Sequence, residues 1–220
     1  MFKLTSPIFT IPVEFASENR PVEPQGKRSD NEIIHALNQH IPITSERNLW
    51  GYWHSGIDSI PKWSRRNAIG WVCLLGPEWA VRILNSVPGS PNNVLSWILH
   101  ELLPSVIANN EIEGPYARLH TLDLVRGAAL YEFGGIWLDV SVTLLHHLED
   151  ICWNQLVDLE STFQISTPLM CGQIMGNHLL LHARMARLLS GGMGSFYTSG
   201  RARGALKASS LLRYSDSRSN

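Results

Sequence analysis

Cysteine is scarce in this chain of 220 residues, with Cys73, Cys152 and Cys171 as its whole complement. An odd, low number without paired metal-ligand spacing excludes a disulfide framework and suits buried thiols in a reducing compartment. Charge is also scarce, at 17% of residues with a net charge of -1. That balance gives no electrostatic footprint for nucleic acid or an acidic membrane surface, so any partner is recognised locally. No stretch approaches the roughly 18 apolar residues of a spanning helix. Met1 to Phe15 lack a compact apolar core with a small-residue cleavage site. A cytoplasmic protein with no transmembrane segment and no nucleic-acid partner is expected. There is no internal repeat, and the length suits one sizeable core.

What is present divides the chain into three. Residues 1–46 form an N-terminal arm whose Pro7, Pro12, Pro21 and Pro24 break any periodicity, followed by a short helix capped by Ser29 or Asp30 with Ile33, Ile34 and Leu37 on one face. Residues 47–190 hold the alternating elements. Asn48 to His54 reads as an aromatic strand, Pro61 to Leu75 as a helix with Trp63, Ile69 or Gly70, Trp71 and Leu74 inward, and Trp79 to Leu84 as a second strand. Together they make the strand-helix-strand unit of parallel sheets that bind nucleotides beyond their strands' carboxyl ends. A polar loop from Asn85 to Asn93 precedes a predicted helix from Val94 to Leu103. Phe163 to Met170 suggests another strand, and Gly176 to Leu189 a helix. In residues 191–220, Arg201, Arg203, Lys207, Arg213 and Arg218 face only Asp216, the composition of a disordered tail.

The stretch from Leu122 to Val142 carries the chemistry. Leu122, Val125, Ala129 and Phe133 recur at helical spacing, and Asp123 and Arg126 interrupt that face three residues apart, close enough to pair or to share a ligand. Gly134-Gly135 ends the helix at Phe133, because a residue without Cβ enters the left-handed region without penalty. The period then changes to two: Ile136, Leu138, Val140 and Val142 share one face, Trp137, Asp139, Ser141 and Thr143 the other. An unpaired carboxylate in an interior strand costs about 3 kcal/mol or more, so Asp139 requires a cation, an arginine or a water-filled cleft. One reading is a divalent metal on Asp139, with Ser141 as a weak second oxygen ligand and a polyphosphate completing the shell. The plainer one is a strand-tipping Asp139 beside an ordinary Asp123–Arg126 pair. His146-His147 point to opposite faces of an extended segment. His178 and His182 could share a helical face, without the glutamate of a metalloprotease motif.

In its Leu122-Asp123-Leu124-Val125-Arg126, Tyr131 and Gly134-Gly135-Ile136-Trp137-Leu138-Asp139-Val140-Ser141, the chain resembles nucleotide-sugar glycosyltransferases of the capsular-polysaccharide-synthesis type, relatives of the larger DxD-bearing group. Trp50-Gly51-Tyr52-Trp53 looks like that family's opening strand, and the similarity runs from about Asn48 to His182. The resemblance implies a single GT-A-like, Rossmann-like α/β/α sandwich with a mostly parallel sheet. It also implies transfer of a sugar from a nucleotide-sugar donor to a glycan or a small-molecule acceptor of secondary metabolism. By the same resemblance Asp139 would hold Mn2+ or Mg2+ together with Ser141. Trp53, Asp123, Arg126, Gly134 and Gly135 would belong to the donor-binding set, with Trp53 near the base. Ser141 stands where many relatives carry a second aspartate, and Leu122 where serine is common. The tail after Gly191 matches nothing in the family, whose acceptor region is missing, so a truncated protein that binds nucleotide without turnover is an alternative. A phosphohydrolase of the haloacid-dehalogenase kind, with Asp139 as nucleophile, is another; Ser141 cannot be its acid/base, and no Gly-Asp dipeptide offers its second metal site.

Overall fold

The computed structural model describes residues 28–109, 111–158 and 160–183, so most of the N-terminal arm and the whole basic tail lie outside the described residues. In chain order the elements are α1 (Asp30–Leu37), β1 (Asn48–Tyr52), α2 (Lys62–Leu75), β2 (Ala80–Leu84), α3 (Val94–Trp97), α4 (Ser105–Ala108), α5 (Ala117–Phe133), β3 (Gly135–Leu138), α6 (Asn154–Val157), β4 (Ile165–Ser166), β5 (Leu169–Met170), β6 (Ile174–Met175) and β7 (Leu179–His182). Five strands form one sheet in the order β2-β1-β3-β7-β4. β1 runs parallel to β2 and to β3, whereas β7 runs antiparallel to β3 and to β4. The expected α/β class with its parallel strand-helix-strand unit is therefore present, and it is compatible with a GT-A-like arrangement.

Period-two alternation sorts the sheet's side chains into two cores. Leu49, Val81, Ile83, Ile136 and Leu138 meet α1 and α2 through Ile33, Leu37, Ala68, Trp71 and Leu75. Trp50, Tyr52, Leu84 and Trp137 meet α3 and α5 through Val94, Trp97, Val125 and Ala129. With both faces covered, the parallel strands are buried at nearly every residue, and each large side chain removed from water contributes about 1.5–3 kcal/mol. Gly51 has a packing reason: a Cβ there would come within 3.0 Å of Ile83 Cδ1 and 3.4 Å of the Trp71 ring.

Several elements differ from the sequence expectation. α5 starts earlier than Leu122, at Ala117, but ends at Phe133, where Gly134 (φ 67°) donates its N–H to Leu130. The strand after it stops at Leu138 rather than Val142, because the Val142 N–H turns back to the Asp139 carbonyl (2.8 Å). The predicted helix from Val94 to Leu103 breaks after Trp97. Ile98 and Leu99 are extended, which buries Ile98 in the core and lets the Leu99 N–H reach the Glu132 carboxylate (3.0 Å). Trp63 faces solvent at 65% exposure instead of the core. Phe163 to Met170 holds two short strands, β4 and β5. Leu179–His182, read as helix, is strand β7, since pairing with β3 buries Leu181 beside Ile136. His178 and His182 thus share no helical face; His182 Nδ1 sits 2.9 Å from the Leu130 carbonyl. Gly176 to His178, also read as helix, form a bend before β7, and residues 184–189 of that predicted helix lie outside the described residues. No helix among the described residues is long and apolar enough to cross a membrane.

Candidate functional site

Parallel pairing of Tyr52 with Leu84 and of Trp50 with Trp137 brings the carboxyl ends of β1, β2 and β3 to one side of the sheet. Asp139 is the first residue beyond β3 and continues its alternation, so its side chain shares the α5 side with Trp137. There its Oδ1 accepts from Trp137 Nε1 (2.9 Å) and from Arg126 Nη2 (3.1 Å). Arg126 Nη1 donates to Asp123 Oδ1 (2.9 Å), and the guanidinium lies 5.5 Å from the centre of the Trp137 ring. One guanidinium, 6% exposed, is thereby held between two carboxylates; Asp139 is 25% exposed and Asp123 54%. Arg126 Nε is buried and makes no hydrogen bond among the described residues. The partner that burial demanded for Asp139 is an arginine, and the three-residue spacing of Asp123 and Arg126 gives an ion pair.

The other predicted positions are distributed unevenly. Ser141 is exposed in the turn after Asp139. Gly134 and Gly135 are buried at the opposite, amino end of β3. Gly135 has φ 94°, and Trp50 Nε1 donates to the Gly134 carbonyl (3.0 Å), so their observed work is the helix-to-strand joint. Trp53 follows β1, half-buried against the α2-side core, its N–H on the Leu84 carbonyl (2.9 Å). An open recess of about 330 Å³, solvent included, lies instead on the α5 side, between His54, Ser86, Val106, Ile107, Ile112 and the first turns of α5 with Ala117, Arg118 and Thr121. Tyr52 reaches it through a 2.8 Å hydrogen bond to Ser86. Burial pushes the Tyr52 phenol above its ordinary value, opposed by that bond and by the charge of Arg118. None of His54, Ser86, Arg118 and Thr121 was a sequence candidate. The rule that ligands lie beyond parallel strand ends would have marked the first two.

The chain is 39% identical over 172 residues to a protein of Fusarium pseudograminearum named "Probable glycosyltransferase FCK3", a match spanning 78% of this chain and 44% of that one. The chain is similar to glycosyltransferases. It is 40% identical over 146 residues to O-glycosyltransferase braB of Annulohypoxylon truncatum, covering 66% of this chain and 35% of that protein. Against glycosyltransferase afumC of Aspergillus fumigatus it is 40% identical over 149 residues, 66% of this chain and 38% of the relative. The chain thus spans less than half the length of the curated relatives it matches. No family model matches, and no solved structure does.

The residues present can be tested against a divalent cation. Among the described residues no group of three or more His, Cys, Asp or Glu could hold an ion alone. Asp139, however, keeps Oδ2 outside both of its hydrogen bonds, at a partly exposed strand end, with the Ser141 hydroxyl two residues on. That set fits Mn2+ or Mg2+ whose other positions come from phosphate oxygens and water.

Proposed function

We propose that this chain carries the donor-binding part of a metal-assisted glycosyltransferase of the GT-A-like, DxD-related kind. It moves a sugar from a nucleotide-diphosphate donor to an oxygen of a small-molecule acceptor, with a glycan as the wider class; the similarity to an O-glycosyltransferase supports oxygen as the accepting atom. The observation that carries the reading is the carboxylate of Asp139, fixed by Arg126 and Trp137 at the carboxyl end of a parallel strand, on the same edge of the sheet where residues following β1 and β2 line an open recess. The recess takes the nucleoside, with Arg118 and His54 on its walls.

Asp139 Oδ2 and Ser141 Oγ would hold Mn2+ or Mg2+, which supplies neutralisation of the charge gathering on the leaving diphosphate. Arg126 orients the carboxylate of Asp139, and its own charge adds to the positive field at the strand end. Asp123, half-exposed, is placed to accept from sugar or ribose hydroxyls with the oxygen that Arg126 leaves open.

Thermal-shift titration with MnCl2 and a panel of UDP- and GDP-sugars tests the reading, because ligand binding raises apparent stability by mass action. Stabilisation by one nucleotide-sugar, dependent on Mn2+ and lost in Asp139→Asn, is expected. Binding without hydrolysis or transfer assigns the chain a nucleotide-binding role only. Phosphate release from a generic phosphomonoester, abolished by Asp139→Asn, replaces the proposal with a phosphohydrolase.

A further inference from the structure

The turn that carries Asp139 and Ser141 is hung from helix α2, on the opposite face of the sheet from Arg126. Ser64 Oγ donates to the Val140 carbonyl (2.7 Å), and Asn67 Nδ2 donates to the same oxygen (3.0 Å). Trp71 Nε1 donates to the Val142 carbonyl (3.0 Å), and the Thr143 hydroxyl donates to Asn67 Oδ1 (2.9 Å). Ser64, Asn67 and Trp71 stand at i, i+3 and i+7 of α2, a single helical stripe. That stripe faces the core, since Ser64 and Trp71 are buried beside Ala68 and Leu75. Apolar side chains are the cheaper occupants of such positions, and burying a hydroxyl there is tolerated only where it makes a hydrogen bond. One donor would satisfy the Val140 carbonyl; this turn receives two. The sheet's last hydrogen bond here is that of the Asp139 N–H to the His178 carbonyl (2.9 Å), and the anchor begins at the next residue, so it takes over the restraint of the following backbone.

We infer that Ser64 and Asn67 are positioning residues that hold the Asp139–Ser141 turn in its ligand-presenting geometry. The inference rests on the function proposed above. Asp139 is then held from both faces: its carboxylate by Trp137 and Arg126 from the α5 face, and the backbone just after it, at Val140 and Val142, by α2 from the other. Neither α2 residue touches the ligand. Their effect falls on the affinity for the cation and the diphosphate bound with it, not on the nucleoside recess.

The test uses the whole chain with Ser64→Ala, Asn67→Ala and Thr143→Val, the last removing only the bond that orients Asn67. Ile33→Val in the α1 core is the control, destabilising without touching the turn. Two readouts are taken below the unfolding temperature of every variant. Without ligand, the Val142 amide, bonded to the Asp139 carbonyl, should exchange its hydrogen faster in the three turn variants while Leu138 exchanges as before. With UDP or GDP, the MnCl2 concentration for half-saturation should rise on the order of tenfold, the usual effect of losing a group behind a metal ligand. Nucleotide affinity in chelator should stay constant, and Ile33→Val should change neither readout. Folded variants with unaltered Mn2+ half-saturation overturn the inference and leave the proposed function standing. A wild-type chain that shows no Mn2+-dependent binding of either nucleotide overturns both.

Discussion

Asp139 serves two purposes, and its variants should separate them. It is the counter-ion of a guanidinium that is almost wholly buried, and Asp123, more than half exposed, neutralises that charge only in part. Asp139→Ala should therefore cost about 3 kcal/mol of stability in urea unfolding, as breaking a buried pair from one side does. Asp139→Asn keeps the shape and one acceptor and should cost less, while both variants lose the Mn2+-dependent response to nucleotide. An alanine variant as stable as wild type would mean that the pair is not formed. Tyr52 gives a pH test. Its phenol ionises above the ordinary value of 10.0 because burial penalises the phenolate. In the unfolded chain the group loses its proton first, so stability is complete below that pH and falls as pH rises beyond it. The tyrosinate absorbance difference between wild type and Tyr52→Phe should show this phenol ionising above the ordinary value. Ser86→Ala should move it further up by removing the hydrogen bond that opposes burial.

At the scale of elements, the joint between α5 and β3 is set by sequence with little freedom. Gly135 adopts φ 94°, and a Cβ on it would run into the Asn48 carbonyl of the neighbouring strand. Gly135→Ala combines backbone strain with that clash and should cost about 3 kcal/mol or more, measured as a lowered unfolding midpoint or a loss of soluble protein. A tolerated alanine would show that β1 and β3 are not in this register. The glycine pair was legible in the sequence as a helix stop, and so was the change of period that follows it. The end of β3 was not legible. Val140 and Val142 have strand propensity, but their carbonyls are taken by Ser64, Asn67 and Trp71, residues some seventy positions earlier in the chain. The same kind of distant capture explains Leu179–His182. A run of leucines fits a helix or a buried strand, and only the open edge of β3 decides for the strand.

Across the whole molecule, Arg82 ties the segment leading into β1 to the sheet. Its guanidinium is buried over Trp50 and Trp97 and donates to the carbonyls of Ile41, Pro42 and Ala80 and to Asn48 Oδ1. Burial lowers its pKa to about 10, so it stays charged at neutral pH. Arg82→Met preserves bulk but strands those oxygens, at about 1–3 kcal/mol for each one left buried and unpaired. Chemical denaturation should show a loss of several kcal/mol with donor binding retained in the folded fraction. An unchanged midpoint would mean that water replaces the guanidinium at no cost.

The chain's own pattern determined the α/β class, the strand-helix-strand unit, the glycine joint and the one-turn spacing of Asp123 and Arg126. Each of these follows from local periodicity or from the conformations a single residue type can adopt. Tertiary structure decided the rest: that Asp139 meets Arg126 and Trp137 on one side while α2 grips the Val140 and Val142 carbonyls on the other, and that the recess opens by His54 and Arg118 rather than Trp53. Hydrogen bonds between elements far apart in sequence leave no periodic trace, and they form only once the sheet has brought its strand ends together.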